Sequence, residues 1–215
     1  MTSPENQPDR PGTFITFEGI DGSGKSTQTR LLAEHLESLG HEVILTREPG
    51  GSVGAEEIRS LVLEGDPDRW SAETELLLFT AARRDHLERT IYPALDAGKV
   101  VICDRFADST RMYQGLSRGD LREKVDKLHR LMIGTEPDLT ILIDMDPAVG
   151  LARAKGRQTA EERFEDFGQE LQFKMRHGFL DLAQQFKDRF RLIDGNRSVD
   201  DVAGDIRLAV TDYLA

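Results

Sequence analysis

A glycine-rich stretch near the amino end of the chain combines the residue types that hold phosphate groups. It reads Gly19-Ile20-Asp21-Gly22-Ser23-Gly24-Lys25-Ser26-Thr27 and matches the pattern G-x-x-x-x-G-K-[ST] at four positions. Glycines let successive backbone N–H groups turn inward around a phosphate chain, because no Cβ stands in the way. Lys25 supplies a cation for the β- and γ-phosphates, and the Ser26 hydroxyl is placed to bind Mg²⁺. This stretch, here called the glycine loop, therefore predicts a binding site for a nucleoside triphosphate.

The residues on both sides of the glycine loop support the same interpretation. Residues 13–17 (TFITF) form a β-rich apolar run, and leucines at positions 31, 32, 36 and 39 recur with helical spacing. A strand, a loop and a helix is the order that the motif requires, and the positive end of the helix dipole then points at the phosphates. The alternative, a tight turn with a chance lysine, leaves the agreement of four positions and both flanks unexplained.

Two carboxylates directly follow apolar runs and are candidate metal ligands. Asp104 follows residues 100–103 (VVIC), and Asp144 follows residues 139–143 (LTILI). A carboxylate at a strand end can hold Mg²⁺ directly or through water. Spacing alone leaves the choice open, although a cation at Arg105 would face the phosphate edge beside Asp104. We take Ser26 and Asp104 as the candidate ligands, with Asp144 as the rival.

Three further residues could contact a second ligand, each with a plainer alternative. Arg47 follows the second apolar run, and the Pro-Gly-Gly sequence after Glu48 is a turn that could aim Arg47 at the sheet edge or be only a turn. Phe79 and Arg83 are four residues apart and share a helix face. An aromatic ring beside a guanidinium could bind a nucleobase. A core phenylalanine with a solvated arginine is the plainer explanation.

The elements that must position these residues alternate along the chain. Strands are expected near residues 13–17, 41–46, 100–103, 139–143 and 191–193, with helices between them. One long helix is expected over residues 73–97, kinked or divided at Pro93. Apolar strands separated by helices predict an α/β fold with a five-stranded parallel sheet covered on both faces. Ligands of such a sheet bind at the carboxyl ends of its strands.

Composition narrows the classes of partner and compartment. The 215 residues suit one α/β domain, which we expect over residues 13–215 after a disordered polar leader of residues 1–12. The net charge of −11 argues against nucleic acid or an anionic membrane surface as a partner. We find no signal peptide and no apolar run long enough to span a bilayer. A single cysteine, Cys103, excludes an internal disulfide and fits a cytoplasmic location.

Four segments taken together resemble the thymidylate kinase (dTMP kinase) family, within the nucleoside monophosphate kinase group of P-loop proteins. The resemblance covers the chain from Phe14 onward. The glycine loop alone is common to many kinases and NTPases, whereas the other three segments in this order are much more specific. The segments are residues 17–27 (FEGIDGSGKST), 46–51 (TREPGG), 78–83 (LFTAAR) and 104–115 (DRFADSTRMYQG).

The resemblance implies an activity, an assembly and a set of residue roles. It implies a homodimer that transfers the γ-phosphate of ATP to dTMP, giving dTDP and ADP with Mg²⁺. Phe79 would stack on thymine and Arg83 would bond its edge, with Thr110 and Gln114 nearby. Tyr113 would pack under the deoxyribose and disfavour a 2′-hydroxyl. The remaining roles concern the phosphate and the sugar: Arg47 and Arg105 would hold the acceptor phosphate, and Asp21 would contact the 3′-hydroxyl or the metal site.

One departure from the family pattern predicts a mobile lid. Some members carry an arginine inside the glycine loop, where this chain has Gly22 and Ser23. The matching subtype places its catalytic cation in a lid, which we expect at about residues 153–165. Its basic residues are Arg153, Lys155, Arg157 and Arg163, of which Arg157 and Arg163 are the catalytic candidates. A solvated charged face is the alternative for each of them.

The expected chemistry needs cations more than a base. A phosphate acceptor has a second pKa near 6 and is largely dianionic at neutral pH, so no strong general base is required. Lys25, Arg105 and a lid arginine would neutralise charge on the transferring group, with Asp21 beside them. The alternatives are a kinase for another nucleotide or nucleoside on the same fold, and a nucleotide-driven switch or partition protein.

Overall fold

The sheet has five strands, and every neighbouring pair in it is parallel. The computed structural model describes residues 10–66, 69–117, 121–155 and 168–214. The strands are Thr13–Glu18 (β1), Val43–Arg47 (β2), Val100–Asp104 (β3), Leu139–Asp144 (β4) and Phe190–Asp194 (β5). They lie in the order β2-β3-β1-β4-β5. The predicted five-stranded parallel sheet is confirmed.

Both faces of the sheet are buried, because successive residues of a strand point to opposite sides. On one face, Phe14 and Val101 pack with Leu87 and Ile91. On the other, residues 15, 17 and 102 (Ile, Phe and Ile) pack with Leu32 and Leu36 of the first helix and with residues 202, 206 and 210 of the last. This arrangement explains why the central strands β1, β3 and β4 are mainly apolar instead of alternating with polar residues.

Helices cover both faces of the sheet. Their bounds are Lys25–Ser38 (α1), Val53–Leu63 (α2), Ala72–His86 (α3), Tyr92–Asp96 (α4), Ala107–Met112 (α5), Arg122–Leu128 (α6), Pro147–Lys155 (α7), Gly168–Gln185 (α8) and Val199–Leu214 (α9). π-Helical turns at Leu87–Ile91, Tyr113–Ser117 and His129–Ile133 continue α3, α5 and α6. Within the described ranges, no helix is long and apolar enough to cross a bilayer.

The predicted helix over residues 73–97 is divided, but one turn earlier than expected. The π-helical turn Leu87–Ile91 separates α3 from α4, and Pro93 lies in the first turn of α4. Proline has no N–H, and its ring crowds the carbonyl four residues before it. The widened turn falls where that carbonyl lies, so the proline acts on the turn that precedes it.

Two predicted segments fall largely outside the described residues. Of the predicted leader, residues 1–9 lie outside the described part, whereas the backbone N–H of Gly12 donates to Leu95 O at 2.9 Å. The Arg10 guanidinium stacks on the ring of Tyr92 at 4.1 Å and pairs with Asp96. Residues 10–12 therefore belong to the folded domain. Most of the predicted lid also lies outside, since residues 156–167 are not described.

The position of β1 between β3 and β4 brings the functional segments together. Phe17 of β1 lies opposite Asp104 of β3, and the Arg105 N–H donates to Phe17 O at 3.0 Å. The glycine loop that follows β1 and the residues that follow β3 therefore meet at the same edge. In parallel α/β sheets, ligands bind at this edge.

Candidate active site

The glycine loop has the backbone conformation that its glycines permit. Gly19, Gly22 and Gly24 have φ angles of 141°, 76° and 95°. Lys25 begins α1, and its Nζ donates to the carbonyl oxygens of Gly19 at 3.0 Å and Ile20 at 2.9 Å. Burial and the nearby Arg105 charge lower the pKa of the Lys25 ammonium to about 8, although neighbouring carboxylates oppose the shift. Lys25 is thus held over the loop by groups of the loop itself.

Gly22 has a packing role as well as a conformational one. A Cβ at position 22 would lie 2.0 Å from the carbonyl oxygen of Gly150 in α7, and a Cβ at position 150 would lie 2.8 Å from Asp21 O. Any side chain at position 22 would push α7 off the loop. The absence of an arginine at this position therefore follows from close packing between the loop and α7.

The two candidate metal ligands lie next to each other. The Ser26 hydroxyl donates to Asp104 Oδ2 at 2.5 Å. The other oxygen, Asp104 Oδ1, is buried and accepts no hydrogen bond from the described residues. The rival Asp144 has both oxygens occupied by Arg176, at 2.6 and 2.8 Å. A hydroxyl and a carboxylate are ligands that suit Mg²⁺, which usually takes few protein ligands and completes its shell with phosphates and water.

Asp21, Arg105 and Tyr113 form one hydrogen-bonded group between the glycine loop and α5. Arg105 has a φ of 69°, and its guanidinium pairs with Asp21 Oδ1. The Tyr113 hydroxyl donates to Asp21 Oδ2 at 2.7 Å, and its ring centroid lies 5.0 Å from the Arg105 guanidinium. Burial would raise the pKa of Asp21, but the charges of Arg105 and Lys25 outweigh it and lower the pKa.

A cleft of about 570 Å³ opens beside this group. It is lined by seven of the predicted site residues: Asp21, Phe79, Arg83, Arg105, Thr110, Tyr113 and Gln114. The other lining residues are Glu48, Pro49, Arg59, Leu63, Phe106 and Ser109. The two segments after β1 and β3 and the helix α3 therefore converge on one concave surface.

Arg83 is fixed in this cleft by buried partners. Its Nε donates to Glu48 Oε2 at 2.7 Å, and its Nη2 donates to Phe106 O at 3.1 Å and to Thr110 Oγ1 at 3.0 Å. Glu48 is held in turn by His86 Nδ1 at 3.0 Å. Within the described residues, Nη1 of Arg83 makes no hydrogen bond. The plainer reading of Arg83 as a solvated arginine is therefore wrong.

Gln114 is also held by a buried carboxylate. Its Nε2 donates to Oε1 of Glu75 on α3 at 2.9 Å, and both side chains are almost completely buried. Sequence reasoning missed Glu75. The only signal was an acidic residue next to Leu76, on a helix face that turns out to be buried.

Glu18, at the end of β1, was missed as well. Its carboxylate accepts from the N–H of Phe106 at 2.9 Å, from the N–H of Ser109 at 3.2 Å and from the Ser109 hydroxyl at 2.6 Å. Burial and the nearby Asp108 raise the pKa of Glu18 to about 7. The available signal was an acidic residue at the end of an apolar strand, directly before Gly19. Glu18 ties β1 to the turn that carries Arg105.

Arg47 does not line the cleft, whereas an arginine that was not predicted does. The Arg47 side chain is 53% exposed and pairs with Glu56 at 3.2 Å. Arg59 of α2 lines the cleft, and its Nη1 donates to Pro49 O at 2.5 Å. An arginine within residues 58–63 (IRSLVL), an otherwise largely apolar helical run, was the only signal for it. The predicted contact of Arg47 with the acceptor phosphate stays a prediction.

The lid candidates are not tested by these contacts. Arg157 and Arg163 lie outside the described residues, and Arg153 is exposed on α7. Their predicted role therefore stays a prediction.

Comparisons with known proteins agree with this geometry. The family model for thymidylate kinase matches residues 17–206. A thymidylate kinase of Ruegeria pomeroyi is 76% identical, over 94% of this chain and 96% of its own. One of Dinoroseobacter shibae is 65% identical, over 92% of this chain and 95% of its own. The crystal structure of thymidylate kinase from Ehrlichia chaffeensis superposes with a TM-score of 0.76 at 37% identity, covering 93% of this chain and 98% of that one.

Proposed function

The chain belongs to the thymidylate kinase family, and from this premise we propose how its residues transfer the γ-phosphate of ATP to dTMP. One observation carries the assignment of roles. A single cleft joins an aromatic and amide-lined end, at Phe79 and Gln114, to a charged end at Arg105 and Asp21. The charged end lies against the glycine loop, so an acceptor in the cleft would direct its phosphate toward the donor site.

At the aromatic end, the cleft suits a pyrimidine. We assign Phe79 to stacking on the thymine ring, with Thr110 and Gln114 at its edge. Arg83 would donate from Nη1 to a carbonyl oxygen of the base, because its other nitrogens are occupied by Glu48, Phe106 and Thr110. A charged donor fixed in this way is already oriented before the base arrives, which lowers the cost of binding.

At the charged end, the residues suit a deoxyribose 5′-phosphate. Arg105 would hold the acceptor phosphate, with Arg59 as a second cation of the cleft. Arg47 is the further phosphate contact that the sequence predicts. Tyr113, anchored by its hydroxyl to Asp21, would pack under the sugar and leave no space or partner for a 2′-hydroxyl. Asp21 would orient Arg105 and contact the 3′-hydroxyl.

On the donor side, residues 19–27 would wrap the phosphates of ATP. Their backbone N–H groups and Lys25 supply the positive field, and Lys25 would exchange its contacts with loop carbonyls for phosphate oxygens. Ser26 and Asp104 would hold Mg²⁺, which neutralises phosphate charge when bound. The buried Asp104 Oδ1 without a hydrogen-bond partner among the described residues supports this choice over Asp144.

The transfer itself would rest on positioning and charge. The acceptor phosphate is already a nucleophile at neutral pH, so no residue need remove a proton. Lys25 and Arg105 would stabilise negative charge as it spreads over the transferring group, and Arg157 or Arg163 would add a third cation. Exclusion of water from the closed site would suppress hydrolysis of ATP.

We also propose a homodimer in the cytoplasm that does not bind nucleic acid. Exposed apolar side chains on α2, α3 and the turn after α6 are candidates for the subunit contact: Val53, Leu61, Leu77 and Leu131. The net charge of −11 supports the absence of a nucleic-acid partner. Light scattering after size exclusion tests the dimer, and a monomer at micromolar concentration would contradict it.

The function is tested by coupled ADP release with ATP against a panel of nucleoside monophosphates, with and without a Mg²⁺ chelator. We expect dTMP to be the preferred acceptor, its ribose analogue to be poor, and turnover to stop with the chelator. Tyr113→Ala should narrow the gap between the two sugars. Slow ATP hydrolysis without any phosphorylated acceptor would indicate a nucleotide-driven switch instead.

A further inference from the structure

Two buried glutamates hold two of the polar side chains at the aromatic end of the cleft. Glu48 holds Arg83 through Nε, and Glu75 holds Gln114 through Nε2. Glu75 has no exposed surface, and Gln114 is 1% exposed. The two residues are 39 positions apart, so only the packing of α3 against the turn after α5 brings them together. The role of Glu75 is not part of the function proposed above.

Arg83 and Gln114 differ in whether the partner glutamate decides which type of hydrogen bond the side chain can offer to a ligand. A guanidinium can only donate hydrogen bonds, so Glu48 determines the direction of Arg83 but not its character. A glutamine amide can present either its oxygen or its nitrogen, and the two orientations have nearly the same shape. A carboxylate has no proton to donate, so Glu75 requires the amide nitrogen of Gln114 to face it. The carbonyl oxygen must then point the other way.

The geometry leaves that oxygen available to a ligand. Gln114 lines the cleft, and its Oε1 accepts no hydrogen bond from the described residues. Nη1 of Arg83, on the same cleft, donates none within the described part. Gln114 and Arg83 therefore present to the same cleft one acceptor, fixed by Glu75, and one donor, fixed by Glu48.

We propose that Glu75 is a specificity-determining positioning residue, which holds the Gln114 amide so that the cleft accepts the N3–H and donates to the O4 of thymine or uracil. Cytosine presents the opposite pattern, an N3 acceptor beside an amino donor, and meets two mismatched groups. This inference rests on the proposed function, because it requires that a pyrimidine monophosphate occupies the cleft.

The experiment replaces the carboxylate with its isostere. In Glu75→Gln, two facing amides can both reverse, so Gln114 can offer its N–H to N3 of cytosine. Mismatch of one buried hydrogen bond corresponds to a selectivity of roughly 5- to 100-fold. We expect the preference for dTMP over dCMP to fall by about that factor. The readout is kcat/KM for dTMP, dUMP and dCMP, or competitive binding of dCMP where its turnover is too slow to measure.

Two further readouts separate positioning from a merely structural role. The ratio of dTMP to dUMP should not change, because both bases carry N3–H and O4. The KM for ATP should also stay at the wild-type value. Glu73→Gln is the matched control, since Glu73 lies on the same helix but is exposed and pairs with Lys124 at the surface. This control should keep the wild-type ratio of dTMP to dCMP.

A second variant keeps the test decisive if Glu75→Gln does not fold. Gln114→Met removes the amide and should abolish the same discrimination, and combining it with Glu75→Gln should add nothing further. A folded Glu75→Gln that keeps the wild-type dTMP to dCMP ratio would overturn the proposal. So would an equal loss for dTMP, dUMP and dCMP, or a Gln114→Met variant with unchanged selectivity. Failure of the wild-type protein to phosphorylate dTMP would refute the proposed function instead.

Discussion

Lys25 of the glycine loop and the polar side chains of the cleft are held by contacts of different range along the chain. Lys25 bonds to carbonyls of residues 19 and 20, which are five or six positions away. In the cleft, Arg83 is bonded to Glu48 and Phe106, and Gln114 to Glu75, at separations of 23 to 39 positions. Lys25 is therefore held by local contacts, whereas the polar side chains of the cleft depend on the assembled fold.

This difference predicts how substitutions in the two regions will act. The cleft's polar groups are preorganised by buried partners, so their loss should weaken acceptor binding and selectivity. In the proposed mechanism, Lys25 exchanges its loop contacts for phosphate oxygens, and its charge acts most strongly on the transferring group. Substitutions at the loop should lower kcat, and those in the cleft should raise KM for dTMP. The following predictions test this contrast, beginning with the largest expected effect.

Lys25→Ala should lower kcat by roughly 10³- to 10⁵-fold, the range for a lost transition-state cation in phosphoryl transfer. Steady-state kinetics measures the loss, and thermal unfolding verifies that the variant is folded. Lys127→Ala is the control, because Lys127 pairs with Glu123 on the exposed face of α6. A folded Lys25→Ala with wild-type turnover would contradict the assignment of the glycine loop.

Arg157→Ala or Arg163→Ala should lower kcat by at least about 10²-fold, with little change in ATP binding to the open enzyme. The physical reason is that Lys25 is the only cation of residues 19–27. Kinetics on these two variants and on Arg153→Ala and Lys155→Ala measures the effect. Arg89→Ala, at an exposed position on the turn after α3, is the control. Normal turnover in all four variants would contradict the proposal that a lid cation takes part in the transfer.

Arg83→Ala should weaken dTMP binding by about 1.5–3 kcal/mol, the value of a hydrogen bond to a charged group, and leave ATP binding nearly unchanged. The neighbouring Arg84→Ala is the control, since Arg84 is half-exposed and pairs with Glu88. Because Glu48 loses its partner, Arg83→Ala should also unfold at lower temperature, and adding Glu48→Gln should recover part of that loss. Equal weakening of dTMP binding and ATP binding would indicate that Arg83 has a structural role instead.

Arg59→Ala and Arg47→Ala compare two candidate contacts of the acceptor phosphate, one that lines the cleft and one that was predicted from the sequence. Arg59 lines the cleft and Arg47 does not, so Arg59→Ala should raise the KM for dTMP by roughly 10-fold or more, and Arg47→Ala by clearly less. Both variants can be measured in the same assay, each serving as the control for the other. The reverse order would restore Arg47 as the phosphate contact.

The smallest effect concerns pH and Glu18. In the folded protein, burial and Asp108 raise the pKa of Glu18 from 4.5 to about 7, so the folded state binds this proton more tightly. The stabilisation of the folded state by protonated Glu18 is complete below pH 4.5 and is lost as the pH rises through about 7. Glu18→Gln cannot titrate.

Urea unfolding at pH 5.5 and pH 8 measures the difference. The free energy of unfolding of the wild type, relative to that of Glu18→Gln, should be lower at pH 8 than at pH 5.5. Glu88→Gln, at an exposed position, is the control variant. A constant difference between wild type and Glu18→Gln would mean that Glu18 does not titrate in this window.

Much of the fold was predictable from the sequence for a physical reason. Strands buried on both faces are mainly apolar, so the runs at residues 13–17 and 139–143 indicated a covered parallel sheet. Capping is equally local: at the start of α3, the Ser71 hydroxyl accepts from the Thr74 N–H at 3.2 Å. The division of the long helix was placed one turn late, because a proline acts on the turn before it.

By itself, the sequence determined the glycine loop, the sheet and the family, because each depends on residues that are adjacent or regularly spaced. The tertiary structure alone decided which carboxylates serve which side chains. Glu18, Glu48 and Glu75 are ordinary acidic residues in the sequence. Only the fold buries them beside Ser109, Arg83 and Gln114, whose side chains they hold by hydrogen bonds. A buried carboxylate must find donors wherever the fold supplies them, and those donors need not lie near it in the chain.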